Sequence, residues 1–138
     1  MEPALFDEKI HTAQTHDWRE AVSLAAEPLL KAGYIKQSYV QEMIMSVERN
    51  GTYMVFLPRI AFVHASQENV IKEGISMTVL EQEIDFGDLN PERVDIVIVL
   101  AIKEAHNQDF LQLFRYLEDE KSRETILAKW SERKDATR

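Results

Sequence analysis

The sequence predicts an α/β fold, arranged as a three-layer α/β/α sandwich with a mixed sheet of about five strands flanked by helices. Three observations carry this. Apolar residues recur at spacings of three and four before residue 50, short β-branched and aromatic runs follow from Tyr53 to Ile102, and helical spacing returns from Phe110. Helices on both sides of a group of strands place the sheet between helix layers. At 138 residues the chain is long enough for a single domain, 1–138, to bury a core without metals or crosslinks.

Asp17 can cap a helix with Glu20 three residues on, and Trp18, Val22, Ala25 and Leu29 then share a face up to a break at Gly33. A helix from about Trp18 to Ala32 is expected. Val40, Met43, Ile44 and Val47 mark a second helix, ending near Asn50-Gly51. Tyr53 to Leu57 and Ile60 to Val63 read as two strands or one broken strand, because Pro58 between them cannot donate to a sheet ladder. Ile75, Met77 and Val79 alternate with Ser76 and Thr78, as a strand with one buried face does, and Ile84 to Phe86 can add a short edge strand. The run Val94 to Ile102 is nearly all apolar, which predicts a central strand covered on both faces. Phe110, Leu113, Phe114 and Leu117 return to helical spacing, and a further helix is expected around Arg123 to Trp130. From about residue 131 the tail is polar, without an apolar anchor.

Composition narrows the function. There is no cysteine, so disulfides, thiolate chemistry and Cys-based zinc sites are excluded. Sixteen Lys and Arg stand against 24 Asp and Glu, a net charge of −8, which argues against a nucleic-acid surface and suits a basic partner protein. The N-terminus lacks the basic start and apolar core of a signal peptide, and no apolar run approaches the length of a membrane span. Cytoplasmic residence is the default expectation, with no membrane insertion. The histidines form neither a His-Glu-x-x-His helix nor a pair at strand spacing, so no metal and no cofactor are expected.

One position stands out chemically. Ile60-Ala61-Phe62-Val63-His64-Ala65 delivers a single imidazole to the end of an apolar run, where Val or Ile would be ordinary. A lone histidine in such a place is more often structural than reactive. The surrounding text changes that balance. Arg59 to His64 is similar to the Gly-Ile-Ala-x-Pro-His segment of the IIA component of the bacterial sugar phosphotransferase system, in its mannitol, fructose and ascorbate superfamily. His106 through Leu117-Glu118-Asp119-Glu120 resembles the segment that carries the family's second histidine. The resemblance runs from about Asp17 to Trp130. Asp17-Trp18-Arg19-Glu20-Ala21, Gly33-Tyr34-Ile35 and Tyr39 to Ile44 look most like the ascorbate-type branch and IIA-like modules of transcriptional regulators.

The resemblance implies a phosphoryl carrier. The phosphocarrier protein HPr would give a phosphoryl group to His64, which passes it to a cysteine on a cognate IIB domain, with His106 as hydrogen-bonding support. Arg49 is similar to an arginine that helps hold the phosphoryl group in mannitol-type members; its plain alternative is a cation beside a helix C-terminus. Phe62, Ala65 and Phe110 are expected to flank the site or to be core. His11 and His16 have no family counterpart and read as surface residues. The chain departs from the family pattern at Arg59 (usually Gly), Val63 (usually Pro), Ser66 and Asn107, all expected around the site. Those departures carry the alternative function, a IIA-like regulatory or sensor module in which phosphorylation of His64 is a signal or transfer has been lost. A third alternative is an α/β binding protein with structural histidines. Oligomeric state and the identity of the sugar stay open.

Overall fold

In the computed structural model the described residues are 10–15, 17–50, 54–57, 59–85 and 93–103, with further positions between 111 and 128. Five strands and two helices are defined: β1 (Ile10–Ala13), α1 (Trp18–Lys31), α2 (Gln37–Asn50), β2 (Met54–Leu57), β3 (Arg59–Val63), β4 (Gly74–Asp85) and β5 (Arg93–Ala101). The sheet is mixed, in the order β1-β4-β5-β3-β2, with parallel β1–β4 and β3–β5 pairs and antiparallel β4–β5 and β2–β3 pairs. Described positions between 111 and 128 are mostly helical, while Phe110, Leu113, Phe114, Leu117 and Trp130 lie outside the described residues.

Helix α1 begins where the sequence predicts. The Asp17 carboxylate accepts from the backbone N–H of Arg19 at 3.0 Å, satisfying a donor that the first turn leaves open. The helix ends in a Schellman arrangement: Gly33, at φ +79°, donates to the carbonyl of Leu30, and Tyr34 donates to that of Leu29. Ala21, Val22, Ala25 and Ala26 are fully buried. The small side chains let the helix approach closely, and the buried Ser76 hydroxyl of β4 donates to the carbonyl of Ala25 at 2.5 Å. On α2, Tyr39, Val40, Met43 and Val47 are buried at the expected spacing. Arg19 on α1 donates to Glu48 on α2 at 2.7 Å.

Strand β5 is central, and every side chain from Val94 to Ala101 is buried. Register assigns those residues to two faces. Ala61, Val63, Leu80, Val97, Val99 and Ala101 join the core cluster of α1 and α2. Ile60, Phe62, Ile75, Met77, Val79, Ile96, Ile98 and Leu100 point to the other face and are buried there too. Burying each large aliphatic side chain contributes about 1.5–3 kcal/mol, so the sheet is the main apolar mass of the fold.

Several expectations change. Ile84 is not part of a separate edge strand: β4 runs unbroken through Glu81-Gln82-Glu83 to Asp85, with a register shift between Val79 and Ile84 that absorbs the extra residues. The edge beside β4 is instead β1, whose four residues Ile-His-Thr-Ala show no apolar run and pair with β4 from Ile10↔Met77 to Ala13↔Leu80. β2 and β3 are separate strands, closing with Leu57 opposite Ile60.

Candidate functional site

His64 is the first residue beyond β3 and is exposed, while the strand that delivers it is buried from Ile60 to Val63. The apolar run therefore stops one residue before the imidazole. Val63 pairs with Val99 in the parallel ladder, so the β-branched residue keeps the extended backbone expected where the family has proline. Desolvation by the packed surroundings lowers the pKa of His64 below its ordinary 6.5. The ring still keeps solvent contact, so the effect is a bias toward the neutral, nucleophilic form at neutral pH rather than a trapped state.

The segment after His64 is tied to the start of α2. The Tyr39 hydroxyl, fully buried, donates to the carbonyl of Leu100 at 2.5 Å and accepts from the backbone N–H of Ala65 at 3.1 Å. Burial pushes the pKa of Tyr39 up to about 12, against the lowering effect of the Ala65 N–H, and the nearby charge of Glu42 raises it further. Ser66 caps a 3₁₀ turn (Gln67–Asn69). Asn69 at its end accepts from Ser38 Oγ at 2.9 Å, donates to Glu42, and offers its carbonyl to the N–H of Lys36. Val70 then bridges to Ile35. No single residue type in the sequence signals this clasp, because it needs the 26-residue separation of Tyr39 and Ala65 to be closed by the fold.

Other predicted positions separate. Arg59 lies at the start of β3, roughly 16 Å from His64 at the usual rise per strand residue, so it does not belong to the surroundings of the histidine. Its φ is 73°, the region that the family's glycine favours, and its guanidinium pairs with Asp95. Phe62 is fully buried on the sheet face away from the α1–α2 core, so it is core rather than a flank of the site. Ala65 is half-buried against the core cluster. Arg49 is exposed in the last turn of α2. His11 stands in β1 opposite Thr78. His16, His106, Asn107 and Phe110 lie outside the described residues, but β5, which leads to His106, ends beside the C-terminal end of β3. Among the described residues, no three His, Cys, Asp or Glu side chains gather as a metal site, and no helix is long and apolar enough to cross a membrane.

A mixed α/β sheet with helices packed on it is the fold of IIA-type phosphotransferase proteins. The profile of the family described as phosphoenolpyruvate-dependent sugar phosphotransferase system, EIIA 2, matches residues 4–135, and the chain belongs to that family. It is similar to the ascorbate-specific PTS system EIIA component of Salmonella paratyphi A, at 32% identity over 112 residues, 78% of this chain and 73% of that protein. The solution structure of the mannitol-specific cryptic phosphotransferase enzyme IIA of Escherichia coli superposes with a TM-score of 0.72 at 27% identity, covering 91% of this chain and 92% of that one. The complex of enzyme IIA and phosphorylated enzyme IIB for mannitol, also from Escherichia coli, superposes with a TM-score of 0.68 at 27% identity, covering 86% and 85%.

Proposed function

We propose that this chain is the phosphoryl carrier of a sugar phosphotransferase system, accepting phosphate from HPr on His64 and passing it to a cysteine of a IIB domain or protein. The observation that carries this is the exposed His64, biased toward the neutral ring, at the end of an otherwise buried strand. In the first step a neutral ring nitrogen of His64 attacks phosphorus; the new N–P bond forms as the N–P bond to the HPr histidine breaks, and the HPr imidazole leaves. In the second step a IIB thiolate attacks the same phosphorus and His64 leaves as neutral imidazole. The similar mannitol IIA is solved in complex with phosphorylated IIB, which supports a IIB partner here.

His106 is assigned as hydrogen-bonding support and Arg49 as a phosphate ligand, both on the family resemblance. The end of β5 beside β3 supports the first, since it brings the chain that carries His106 toward the right end of the sheet. Burial of both sheet faces supports the α/β/α sandwich, with the described helical positions between 111 and 128 as candidates for the second helix layer. Cytoplasmic residence follows from this role. Arg59 no longer counts among changes at the site, which removes one support of the regulatory alternative.

The test is incubation with Enzyme I, HPr and phosphoenolpyruvate, followed by assay for an acid-labile, base-stable phosphate. His64→Ala is expected to abolish the label. Full labelling of that variant would end the proposal.

A further inference from the structure

Strand β3 runs parallel to β5 with Val63 opposite Val99. Carried one step further, the ladder would put Ala65 opposite Ala101, and a parallel ladder offers the N–H of such a residue the carbonyl just before its partner, that of Leu100. Those two groups do not meet each other here. The Tyr39 hydroxyl stands between them, accepting from the N–H of Ala65 at 3.1 Å and donating to the carbonyl of Leu100 at 2.5 Å. A phenol oxygen thus occupies the next rung of the sheet. Both backbone groups are satisfied, and the strands are held apart by one interposed atom at the residue where the chain carries His64.

We infer that Tyr39 is a positioning residue for His64: its hydroxyl ends the β3–β5 pairing as an inserted rung and so turns the His64 backbone out of the sheet toward an incoming phosphoryl group. The inference rests on the carrier function proposed above and adds a residue on α2 to it. Three features of the surroundings make the insertion rigid. Tyr39 is fully buried, so the ring has no alternative place to go. The N–H of Tyr39 itself donates to the carbonyl of Lys36 at 2.9 Å, fixing the helix start from which the ring projects. Asn69, tied to Ser38 and Glu42 on the same helix, anchors the far end of the 64–69 segment. Without the hydroxyl, the N–H of Ala65 and the carbonyl of Leu100 have two resolutions. Either they pair directly, extending the ladder and drawing His64 back toward the sheet, or they stay apart and unsatisfied, and the segment loosens. Each displaces the imidazole from a near-attack position, and misplacement of about 1 Å costs on the order of a hundredfold in rate.

Tyr39→Phe keeps the ring and removes only the oxygen. Ile84→Val is the control: it loosens the core at the opposite end of β4, where Ile84 pairs with Val94. With phosphorylated HPr as donor, Tyr39→Phe is expected to lower the maximal transfer rate to His64 by tenfold or more with little change in KM for HPr, while Ile84→Val keeps the wild-type rate. A second measurement needs no phosphate: amide hydrogen exchange at Ala65 and the ring ¹⁵N resonances of His64 by NMR. Both should change in Tyr39→Phe and stay as wild type in Ile84→Val. A wild-type transfer rate in Tyr39→Phe overturns the inference, as does an equal slowing in both variants. If the wild-type chain takes no phosphate, the carrier function fails by itself, and unchanged Ala65 exchange and His64 resonances in Tyr39→Phe then overturn the rung as well.

Discussion

Arg59 reaches from a backbone at φ 73° to the carboxylate of Asp95, whose side chain is 2% exposed near the start of the central strand. Glu83 and Arg93 extend the same cluster, with Glu83 3.8 Å from Arg59 and 3.9 Å from Arg93. The hydrogen bond to Asp95 holds the Arg59 pKa above its ordinary value against the opposing cost of burial. Two effects therefore meet in one residue: an unfavourable backbone conformation and the cation that compensates a buried acid. Arg59→Ala removes the cation and keeps the strain. Breaking a fully buried pair costs about 3–5 kcal/mol, but solvent reaches the half-buried Arg59, so a loss of about 2 kcal/mol is expected. Arg59→Gly removes the cation and relieves the backbone, so it should lose about 1 kcal/mol less. Urea unfolding of the two variants checks this, and equal losses would show that the positive φ carries no strain.

The helices were legible because each has a cap or a stop and an apolar face at spacings of three and four, and Asp17, Gly33 and the buried faces of α1 and α2 stand where those signals put them. Central β5 was legible because burial on both faces demands a near-continuous apolar run, here interrupted only by Asp95. Strand β1 was not, since a four-residue edge is held by the ladder of β4 and needs no pattern of its own. The continuity of β4 was hidden by Glu81-Gln82-Glu83, polar residues exposed or half-buried on the register shift before Ile84 returns to the core. At the site, an apolar run ending in His64 was visible along the chain, whereas the Tyr39 rung joins α2, the loop after β3 and β5, which only tertiary structure brings together.

If His64 carries the phosphoryl group as proposed, its lowered pKa sets the pH dependence of labelling. At pH 6.5 an ordinary histidine is half protonated, whereas more than half of His64 should be neutral, so the labelling rate should fall at lower pH than it would for an ordinary histidine. The stability consequence has the opposite sense from a salt-bridged histidine. Below pH 6.5 the unfolded chain takes up a proton at this position that the folded chain resists, so a small stability loss sets in as pH falls and levels off once the folded ring also protonates. An NMR titration of the His64 ring tests both; a midpoint at or above 6.5 contradicts them.

Tyr39 governs the alkaline side. Below pH 10 the phenol is neutral folded or unfolded, and its burial has no pH-dependent effect. Between 10 and about 12 the unfolded chain loses the proton while the folded chain keeps it, so stability falls by up to about 1.4 kcal/mol per pH unit from this group. Tyr39→Phe should be less stable than wild type at pH 8 and lose stability less steeply above pH 10. Denaturant midpoints measured across that range decide it, and parallel slopes would mean that Tyr39 ionises as freely folded as unfolded.

His106 and Arg49 separate by their effects on transfer. His106→Ala should slow labelling of His64 while leaving some label, as expected of a supporting donor. If Arg49 holds phosphate oxygens, Arg49→Ala should reduce transfer from phosphorylated HPr by about tenfold or more, the worth of one charge-assisted hydrogen bond. As a cation at the end of α2 it would instead change stability by about 0.3–1 kcal/mol and leave transfer alone. Measuring rate and unfolding midpoint on the same Arg49→Ala preparation distinguishes the two.

Gly33 and Gly74 should both resist alanine, for different physical reasons. At Gly33 a Cβ would meet nothing within 4 Å, but φ is +79°, so Gly33→Ala is a conformational penalty of about 1–2 kcal/mol at the Schellman end of α1. At Gly74 a Cβ would stand 2.6 Å from Cδ2 of Tyr34 and 3.0 Å from Cδ2 of Leu29. Those two residues are joined by the Tyr34 N–H to Leu29 carbonyl bond that closes the helix, and relief of the clash must either displace the Tyr34 ring or push the start of β4 away from the end of α1. A loss of about 1–3 kcal/mol is expected. The two cases part in a second substitution: Tyr34→Ala should restore much of the loss in Gly74→Ala by vacating the space, and none of the loss in Gly33→Ala. Double-mutant cycles from chemical denaturation read this coupling directly, and a coupling of equal size at both glycines would contradict the steric account of Gly74.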